Sequence, residues 1–457
     1  MADRAIFWFR RDLRLADNPA LLAAAADASC VVPVFVVDPR LWTPAGARRR
    51  AHLVASLQAL DASLDAALLV RTGDPRRVIP ELADAVGARR VHAATDCGPY
   101  GRGRDEAVAS ALTEQGVTFD RLGSPYAVAP GRVRKPDGEA YQVFTPFHRA
   151  WLEHGWRRPV AAPTDLPLDR PLPSDALADL GVDTSGLVGA GEEVATVGWQ
   201  AYLASDARQH YDELRDRPDL DQTSHLSVAL KYGELHPRTV LAGLGSQAAD
   251  EALRRQLAWR DFYADVLYRR PDTATGYYRR ELATQRYDDP ADRDRLGAWQ
   301  RGETGYPFVD AGMRQLRATG WLPNRVRMVV ASFLVKDLHL EWTLGARWFM
   351  QQLVDGDLAN NSHGWQWVAG TGTDAAPYHR IFNPVAQGRR FDPDGDYVRH
   401  HVPELRHLVG AAVHEPWRAA DGYAHDYPQR LVDHDVERRE ALSRFNAAKE
   451  QPPSPLR

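Results

Sequence analysis

Tryptophan, acidic and amide side chains are concentrated in one short stretch of this sequence, between residues 320 and 380. The stretch holds Trp321, Trp342, Trp348, Trp365 and Trp367, together with Asn324, Asp355, Asp357 and Asn361. Indoles are good one-electron donors, and Asp and Asn residues among apolar neighbours need a polar group to bond, which a large cofactor supplies. The stretch therefore indicates photochemistry on a bound cofactor. A well-packed aromatic core has the same composition and remains the alternative.

A second group of residues is suited to binding a phosphate. The segment TSHLS, at residues 223–227, follows a loop that contains Pro218 and precedes a helical stretch. Its hydroxyls and backbone N–H groups can hold an anion at that point. Ser and Thr are also common helix caps, which is the simpler interpretation of the same residues.

Several arginines predict a local positive surface near Asn324. They are Arg314, Arg317, Arg325 and Arg327. Trp259 and Trp367 offer flat faces on which a nucleic-acid base can stack. The net charge is −4, from 57 basic and 61 acidic residues, so DNA must be contacted by such a local surface and not through a global field. Solvated helix charges and core indoles remain the alternative.

The acidic and histidine residues do not follow a metal-binding pattern. Asp355 and Asp357 resemble the start of a calcium loop, but Asn360 and Gln366 stand where such a loop needs Gly and Glu. The histidines lack a zinc spacing, and no GxSxG elbow or P-loop is present. We therefore predict no metal.

Composition favours a cytoplasmic protein. The two cysteines, Cys30 and Cys97, are far apart and argue against a disulfide scaffold. The start of the chain lacks the features of a signal peptide. The most apolar early stretch, residues 20–37, is interrupted by Asp27, Ser29 and Pro33, so no membrane span is predicted.

Hydrophobic patterning predicts two different architectures along the 457 residues. Buried-type strands at residues 5–9, 31–37, 67–72 and 90–94 alternate with helices at 19–28, 49–66, 78–86 and 105–115, which is typical of a doubly wound α/β domain. No GxGxxG opens the first helix. From residue 131 the sequence becomes rich in Pro and Gly. After residue 196 the pattern is helical, with clear helices predicted over 248–267 and 325–340.

Five strings resemble the photolyase/cryptochrome family and, within it, the class I cyclobutane pyrimidine dimer photolyases. They are FWFRRDLR at 7–14, TSHLS at 223–227, WRDFY at 259–263, GWLPNR at 320–325 and the run 355–373. The resemblance covers nearly the whole chain. It implies the photolyase fold: an N-terminal doubly wound parallel-sheet α/β antenna domain (1–130), a connector (131–195), an all-α FAD-binding and lesion-binding domain (196–450) and a short tail (451–457), which we expect to fray.

The resemblance also implies a light-driven repair reaction on UV-damaged DNA by a monomeric bacterial protein in the cytoplasm, at the nucleoid. Excited, fully reduced FAD donates one electron to a flipped-out pyrimidine dimer, the cyclobutane splits and the electron returns. Matching positions imply FAD contacts from Tyr211, Thr223, Ser224, Leu226, Ser227, Asp355, Asp357 and Asn361. An Asn at position 361 would face the redox-active ring of the flavin.

On the DNA side, the resemblance implies a lesion pocket formed by Gln256, Trp259, Asn324, Met328 and Trp367. Phosphate contacts are implied for Arg215, Arg325, Arg327 and Arg380. The (6-4) photolyases place histidines near positions 324 and 328, and their absence here favours the cyclobutane substrate. Gln256 departs from the usual class I glutamate, which keeps a (6-4) photolyase or a cryptochrome-like photoreceptor as alternatives.

Two further sites follow from the resemblance. Trp365 and Trp342 match the inner and middle members of the chain of tryptophans that reduces FAD, but Arg286 and Tyr287 occupy the region of the outer member. Three outcomes follow for the chain: Tyr287 completes it, another indole such as Trp299 completes it, or photoreduction is inefficient. The string DCGPYGRGRD, at 96–105, predicts an antenna site through Tyr100, Gly101, Arg102 and Asp105. We favour 8-hydroxydeazaflavin over methenyltetrahydrofolate, flavin or an empty site, and the string also suits a simple turn.

Overall fold

The computed structural model describes residues 3–184, 189–291, 294–374 and 380–450. The chain forms two compact units: Met1–Gln209 with Ser224–Pro271, and His210–Thr223 with Asp272–Arg457. The first unit includes the predicted connector, so the domain boundaries at 130 and 195 stay a prediction. The predicted tail, 451–457, lies outside the described residues.

A five-stranded parallel sheet organises the start of the first unit. Its strands are β1 (Arg4–Phe9), β2 (Cys30–Val37), β3 (Leu69–Thr72), β4 (Ala88–Ala93) and β5 (Thr118–Arg121), in the order β3-β2-β1-β4-β5. β1 and β2 are buried along almost their whole length, as expected for parallel strands with both faces covered. The α/β prediction is confirmed.

Helices follow the strands in the first part of the chain. They are α1 (Pro19–Asp27), α2 (Pro39–Trp42), α3 (Ala47–Ser63), α4 (Pro75–Val86), α5 (Pro99–Glu114), α6 (Phe144–His154), α7 (Glu192–Leu203), α8 (Asp206–Gln209), α9 (Tyr211–Leu214), α10 (Leu226–Tyr232), α11 (Pro237–Ala242) and α12 (Ala248–Arg269). Side-chain caps set several starts: Asn18 accepts from the Leu21 amide and Asp74 from the Arg76 amide. The helices predicted at 19–28, 49–66, 78–86 and 105–115 correspond to α1, α3, α4 and α5, and α5 begins six residues earlier than predicted.

The second unit is helical. After α9 it contains α13 (Arg295–Arg301), α14 (Pro307–Thr319), α15 (Asn324–Ser332), α16 (Trp342–Gln352), α17 (Leu358–Ala369), α18 (Pro384–Phe391), α19 (Asp396–His401) and α20 (His434–Glu450). Its core is formed mainly by the apolar faces of α14 to α17. The prediction of a helical C-terminal half is confirmed. No described helix is long and apolar enough to cross a membrane.

One predicted helix is wrong in its second half. We expected a single helix over residues 325–340, but α15 ends at Ser332 and a π-helical turn, Phe333–Asp337, follows it. The apolar side chains stay buried in the turn and directly after it: Phe333, Leu334, Val335 and Leu338. The hydrophobic pattern therefore continues across a change of backbone geometry that it cannot reveal.

Candidate functional site

Asp355 is a buried carboxylate with an unused oxygen. It lies in the short link between α16 and α17 and is only 6% exposed. Its Oδ2 accepts a hydrogen bond from Arg327 Nη2 at 2.8 Å, whereas Oδ1 has no hydrogen-bond partner among the described residues. A buried carboxylate oxygen without a partner is costly. Asp355 is therefore suited to bonding a polar cofactor group.

Asp357 and Asn361 are held in place by α17. Asp357 caps the helix, since its Oδ1 accepts from the Asn360 amide at 3.0 Å. Asn361 lies one turn later, is buried, and donates from Nδ2 to the carbonyl of Ala346 at 2.9 Å. The hydrogen bond from Nδ2 engages only the nitrogen end of the side-chain amide. This arrangement leaves the carbonyl oxygen of Asn361 able to accept a hydrogen bond from a ligand.

The predicted phosphate-binding residues divide between the two units. In the second unit Tyr211 is buried, which raises the pKa of its hydroxyl, and Arg215 lies over its ring at 6.0 Å. The Thr223 hydroxyl is buried without a hydrogen-bond partner in the described structure. In the first unit Ser224 precedes α10, Leu226 begins it, and Ser227 is exposed in its first turn.

The predicted lesion residues on α15 share one helix face. Asn324 is exposed, and its Nδ2 lies 3.6 Å from Met328 Sδ one turn later. Arg325 donates to Asp216 at 2.7 Å and stacks over Phe391. Because this ion pair neutralises much of its charge, Arg325 offers DNA less than an unpaired arginine would.

Arg327 and Arg380 differ in what they can offer a phosphate. Arg327 is half-buried and donates to the Leu322 carbonyl as well as to Asp355, which favours a role in orienting that carboxylate. Arg380 is exposed and places its guanidinium 5.2 Å from the centre of the Trp367 ring. Trp367 is half-buried on α17. The phosphate contacts of both arginines stay a prediction.

In the first unit, Gln256 and Trp259 lie three residues apart on α12. Trp259 stacks on Phe144 with ring centroids 3.7 Å apart and planes 6° from parallel. One indole face is therefore covered, and only the other can receive a base. The side chain of Gln256 makes only a long hydrogen bond, at 3.5 Å, to the Ala252 carbonyl.

The predicted electron-transfer residues lie in the aromatic core of the second unit. Trp365 approaches Trp299 edge-on at 6.1 Å and Phe349 at 5.0 Å. Trp342 is 1% exposed, and its Nε1 has no hydrogen-bond partner in the described part of the chain. Its described aromatic neighbour is Tyr277, at 6.1 Å, a residue that the sequence did not single out.

The predicted antenna residues stand at the carboxyl edge of the sheet. Tyr100, in the first turn of α5, donates its hydroxyl to Asp38, the residue after β2. Burial and this carboxylate raise the pKa of Tyr100 to about 12. Ligands of open α/β sheets bind beyond the carboxyl ends of the strands, so the position suits an antenna ligand.

Asp105 is fully engaged within the protein. It is 1% exposed and accepts hydrogen bonds from Arg10 at 2.7 Å and from Arg104 at 2.8 Å. Both guanidiniums also lie over the ring of Trp8. Asp105 therefore orients Arg10 and Arg104, two cations that the sequence did not single out as site residues.

Gly101 and Arg102 have structural functions of their own. A Cβ on Gly101 would lie 2.1 Å from the carboxyl group of Asp96, so only glycine allows that approach. Arg102 donates to the Tyr268 carbonyl at 3.1 Å and stacks over its ring. Contact with an antenna stays a prediction for both residues.

One cluster of metal-ligating type exists among the described residues, formed by Asp27, His92 and Asp120. Arg90 donates to Asp27 at 3.1 Å and lies 3.6 Å from Asp120. The guanidinium already neutralises both carboxylates, which makes the group an ion-pair cluster. No metal is assigned to it.

Comparison with known proteins identifies relatives along both halves of the chain. A family profile described as DNA photolyase matches residues 5–167, and one described as FAD binding domain of DNA photolyase matches residues 253–447. The deoxyribodipyrimidine photo-lyase of Streptomyces griseus is 41% identical over 466 residues, covering 97% of this chain and 99% of that protein.

Solved structures agree with these matches. A bacterial class III photolyase from Agrobacterium tumefaciens superimposes with a TM-score of 0.93 at 35% identity, covering 99% of this chain and 98% of that one. A cryptochrome from Synechocystis gives a TM-score of 0.89 at 29% identity, with 96% and 99% coverage. The same fold thus occurs in repair enzymes and in a protein named as a cryptochrome.

Proposed function

The chain belongs to the photolyase/cryptochrome family, and from that membership we propose that it repairs cyclobutane pyrimidine dimers in DNA with light. The observation that carries this function is near full-length similarity to enzymes named deoxyribodipyrimidine photo-lyase, at 36–41% identity. The reaction is that of a carbon–carbon lyase. Its substrate is UV-damaged DNA, on which the protein acts as a cytoplasmic monomer.

The residues of the second unit fit FAD. The unpaired Oδ1 of Asp355 and the unpaired hydroxyl of Thr223 are buried polar atoms that need a ligand. Asn361, with its amide nitrogen engaged by Ala346, presents its carbonyl oxygen. Excited reduced FAD supplies the electron that splits the dimer. The protein's part is to hold the cofactor, exclude water and, through the Asn361 oxygen, accept a hydrogen bond from a protonated flavin nitrogen.

The lesion side uses apolar and polar surfaces that suit an extruded pyrimidine pair. An enzyme that acts on a base inside a duplex has to extrude it from the stack, and a poorly stacked lesion is cheaper to extrude. Asn324 and Met328 form one contact surface on α15. Trp259 has one face that Phe144 does not cover, and Trp367 with Arg380 forms a flat cationic platform.

The class and the antenna are narrower proposals. The five strings given above support class I, and the absence of histidine at positions 324 and 328 supports the cyclobutane substrate. The Tyr100–Asp38 pair and the arginines Arg10 and Arg104 offer hydrogen bonds and positive charge to an 8-hydroxydeazaflavin antenna. Methenyltetrahydrofolate, flavin or no antenna are the other outcomes. Adding each chromophore to the protein and recording which one sensitises the flavin would decide.

A blue-light photoreceptor is the second candidate function, favoured by Gln256. The side chain makes only one long hydrogen bond, to the Ala252 carbonyl. Its amide can therefore bond a group other than the pyrimidine edge of a lesion. A (6-4) photolyase is the third candidate, because the same glutamine occurs in that branch.

The deciding experiment follows the restoration of two intact thymines, measured by their ultraviolet absorbance, within an oligonucleotide that contains one defined dimer. Chemically reduced protein is illuminated with blue light, beside a dark control and an oligonucleotide with a (6-4) product. Restoration of thymine only in light, and only in the oligonucleotide that carries the cyclobutane dimer, is the expected result. Bound FAD without dimer splitting would contradict the repair function. In Gln256→Glu we expect equal or better repair, because a carboxylate accepts hydrogen bonds from the pyrimidine edge more strongly.

A further inference from the structure

Tyr277 is in contact with the buried indole of Trp342. The two ring centroids are 6.1 Å apart and the planes meet at 84°, an edge-to-face contact. Trp342 is almost fully buried, whereas Tyr277 is half-buried. Because electron exchange between rings falls steeply with separation, a ring in contact with Trp342 can refill an electron vacancy there. Tyr277 also lies nearer to solvent than the indole does.

The hydroxyl of Tyr277 has a proton acceptor in place. It donates to Glu341 Oε1 at 3.1 Å, and Glu341 is the residue directly before Trp342. Oxidation turns a phenol into a strong acid, so an aligned carboxylate allows the proton to leave together with the electron. Burial, the neighbouring Tyr287 hydroxyl and Glu341 raise the pKa of Tyr277 far above its ordinary value. The phenol is therefore protonated before the step.

Trp342 lacks an equivalent proton acceptor. Its Nε1 is buried and makes no hydrogen bond to any described residue. An oxidised indole that keeps its N–H proton is a radical cation. It remains a strong oxidant because its positive charge is retained. This environment favours passing the vacancy onward to a neighbouring ring over storing it on Trp342.

The other candidates for the outer donor have no comparable arrangement. Arg286 is not an aromatic residue and is ion-paired with Glu440. The Tyr287 hydroxyl is buried beside that of Tyr277, and no described carboxylate accepts a hydrogen bond from it. Trp299 is completely buried and donates Nε1 to the Val330 carbonyl, so an electron vacancy there would stay inside the core.

We propose that Tyr277, paired with Glu341, is the terminal electron donor for photoreduction of the flavin. One electron passes from the Tyr277 ring to oxidised Trp342, the phenolic O–H bond breaks, and its proton forms an O–H bond on Glu341. Tyr277 becomes a neutral radical and Trp342 is restored. The initial oxidant is light-excited oxidised flavin, acting through Trp365 and Trp342, so this role rests on the proposed function.

The test is flash photolysis of the protein loaded with oxidised FAD, followed by transient absorption and electron paramagnetic resonance. Wild type is expected to form an indole radical and then a tyrosyl radical. Tyr277→Phe loses the tyrosyl signal, and lasting flavin reduction is lost with it because the charges recombine. Tyr278→Phe removes a hydroxyl from the next residue and is the matched control, in which the tyrosyl signal persists.

Glu341→Gln separates a proton-accepting role from a purely structural one. The phenol remains, but water or hydroxide must take its proton, so tyrosyl formation slows and its rate rises with pH. A tyrosyl signal that survives in Tyr277→Phe, or that disappears only in Tyr287→Phe, would overturn the assignment. Dimer splitting by chemically reduced wild type is measured separately: its failure rejects the repair function, while the radical experiment still reports on Tyr277.

Discussion

At the scale of single residues, the unpaired oxygen of Asp355 is the atom that we propose to contact FAD. Asp355→Asn keeps the shape of the side chain but removes the charge and leaves the Arg327 guanidinium without its carboxylate. Hydrogen bonds to charged groups contribute about 1.5–3 kcal/mol, so we expect the dissociation constant for FAD to rise by roughly 10- to 100-fold. Flavin absorbance after purification and titration of the apoprotein measure the change.

Glu303→Gln is the matched control for Asp355. The side chain of this glutamate is 45% exposed and its ion pair with Arg301 lies near the surface, so FAD affinity is expected to stay at the wild-type value. If Asp355→Asn also retained full flavin occupancy, the unpaired oxygen would not be a cofactor contact.

Asp261 should make the stability of the protein depend on pH. Complete burial raises the pKa of this carboxyl to about 6, although Val128 and Trp151 donate hydrogen bonds to it. The folded state therefore holds a proton that the unfolded chain has already released above about pH 4. The stabilising contribution is complete below pH 4 and is lost as the pH rises to about 6.

Asp261→Asn carries a permanently neutral side chain of the same shape and removes this dependence. We expect wild type and variant to unfold at similar urea concentrations near pH 4. At pH 7 the variant should be more stable, by roughly 3 kcal/mol at most. A difference between the two proteins that does not change with pH would show that Asp261 is ionised in the folded state throughout.

At the scale of elements, the contact between α16 and α17 depends on Gly345. A Cβ at this position would lie 2.1 Å from Trp365 Cη2 and 2.6 Å from Leu334 Cδ2. Gly345→Ala therefore forces the indole and its surroundings to move, at a cost of about 1–3 kcal/mol for overpacking a filled core. We expect a lower melting temperature and slower flavin photoreduction, since Trp365 is displaced.

Gly364→Ala, on α17, is the control for that substitution. No atom lies within 4 Å of the Cβ position at Gly364, so only the helix propensity changes, which favours Ala by about 1 kcal/mol. The two variants should thus shift the melting temperature in opposite directions. Equal shifts would show that the packing of Trp365 is not what Gly345 protects.

Elements were predictable where burial and local chemistry agree. β1 and β2 are continuous apolar runs, and α4 begins with an Asp74 cap and Pro75 and ends at Gly87, whose φ is +65°. The edge strand β5 was missed because TFDR is short and only partly buried. α6 was missed because it lies within a segment rich in Pro and Gly. Its first residue, Phe144, is also buried by distant partners such as Trp259, which is 115 positions away in the sequence.

Candidate site residues could be named from motif strings and stay predictions, whereas their structural partners could not be named. Asp355 and Asn361 could be named from the sequence, whereas the bond from Arg327 to Asp355 joins residues on separate elements. The contact of Tyr277 with Trp342 likewise spans 65 positions in the numbering. Tyr277 lies outside the motif strings, so the sequence gives no local signal for it. Only the fold shows that its ring contacts Trp342 and that its hydroxyl donates to Glu341.

At the scale of the whole molecule, a net charge of −4 means that DNA is not attracted by a general field. Binding must combine a few local cations with the contacts made to an extruded lesion. Cations contribute equally to damaged and undamaged DNA, whereas a stacking surface contributes only when a base leaves the helix. Arg380 and Trp367, which lie against each other, allow the two contributions to be separated.

Arg380→Gln should weaken binding to damaged and undamaged duplexes by the same factor. It should also reduce the slope of log K against log salt concentration by about 0.9, the value for one phosphate contact on duplex DNA. Trp367→Ala should leave that slope unchanged and weaken the binding free energy by about 1–3 kcal/mol for damaged DNA alone.

The charge-matched control is Arg286→Gln, because the Arg286 guanidinium is exposed and paired with Glu440. This variant should change neither the DNA affinity nor its salt dependence. If Arg380→Gln lowered affinity only for damaged DNA, Arg380 would act by holding the Trp367 ring, and the phosphate contact would have to come from another cation.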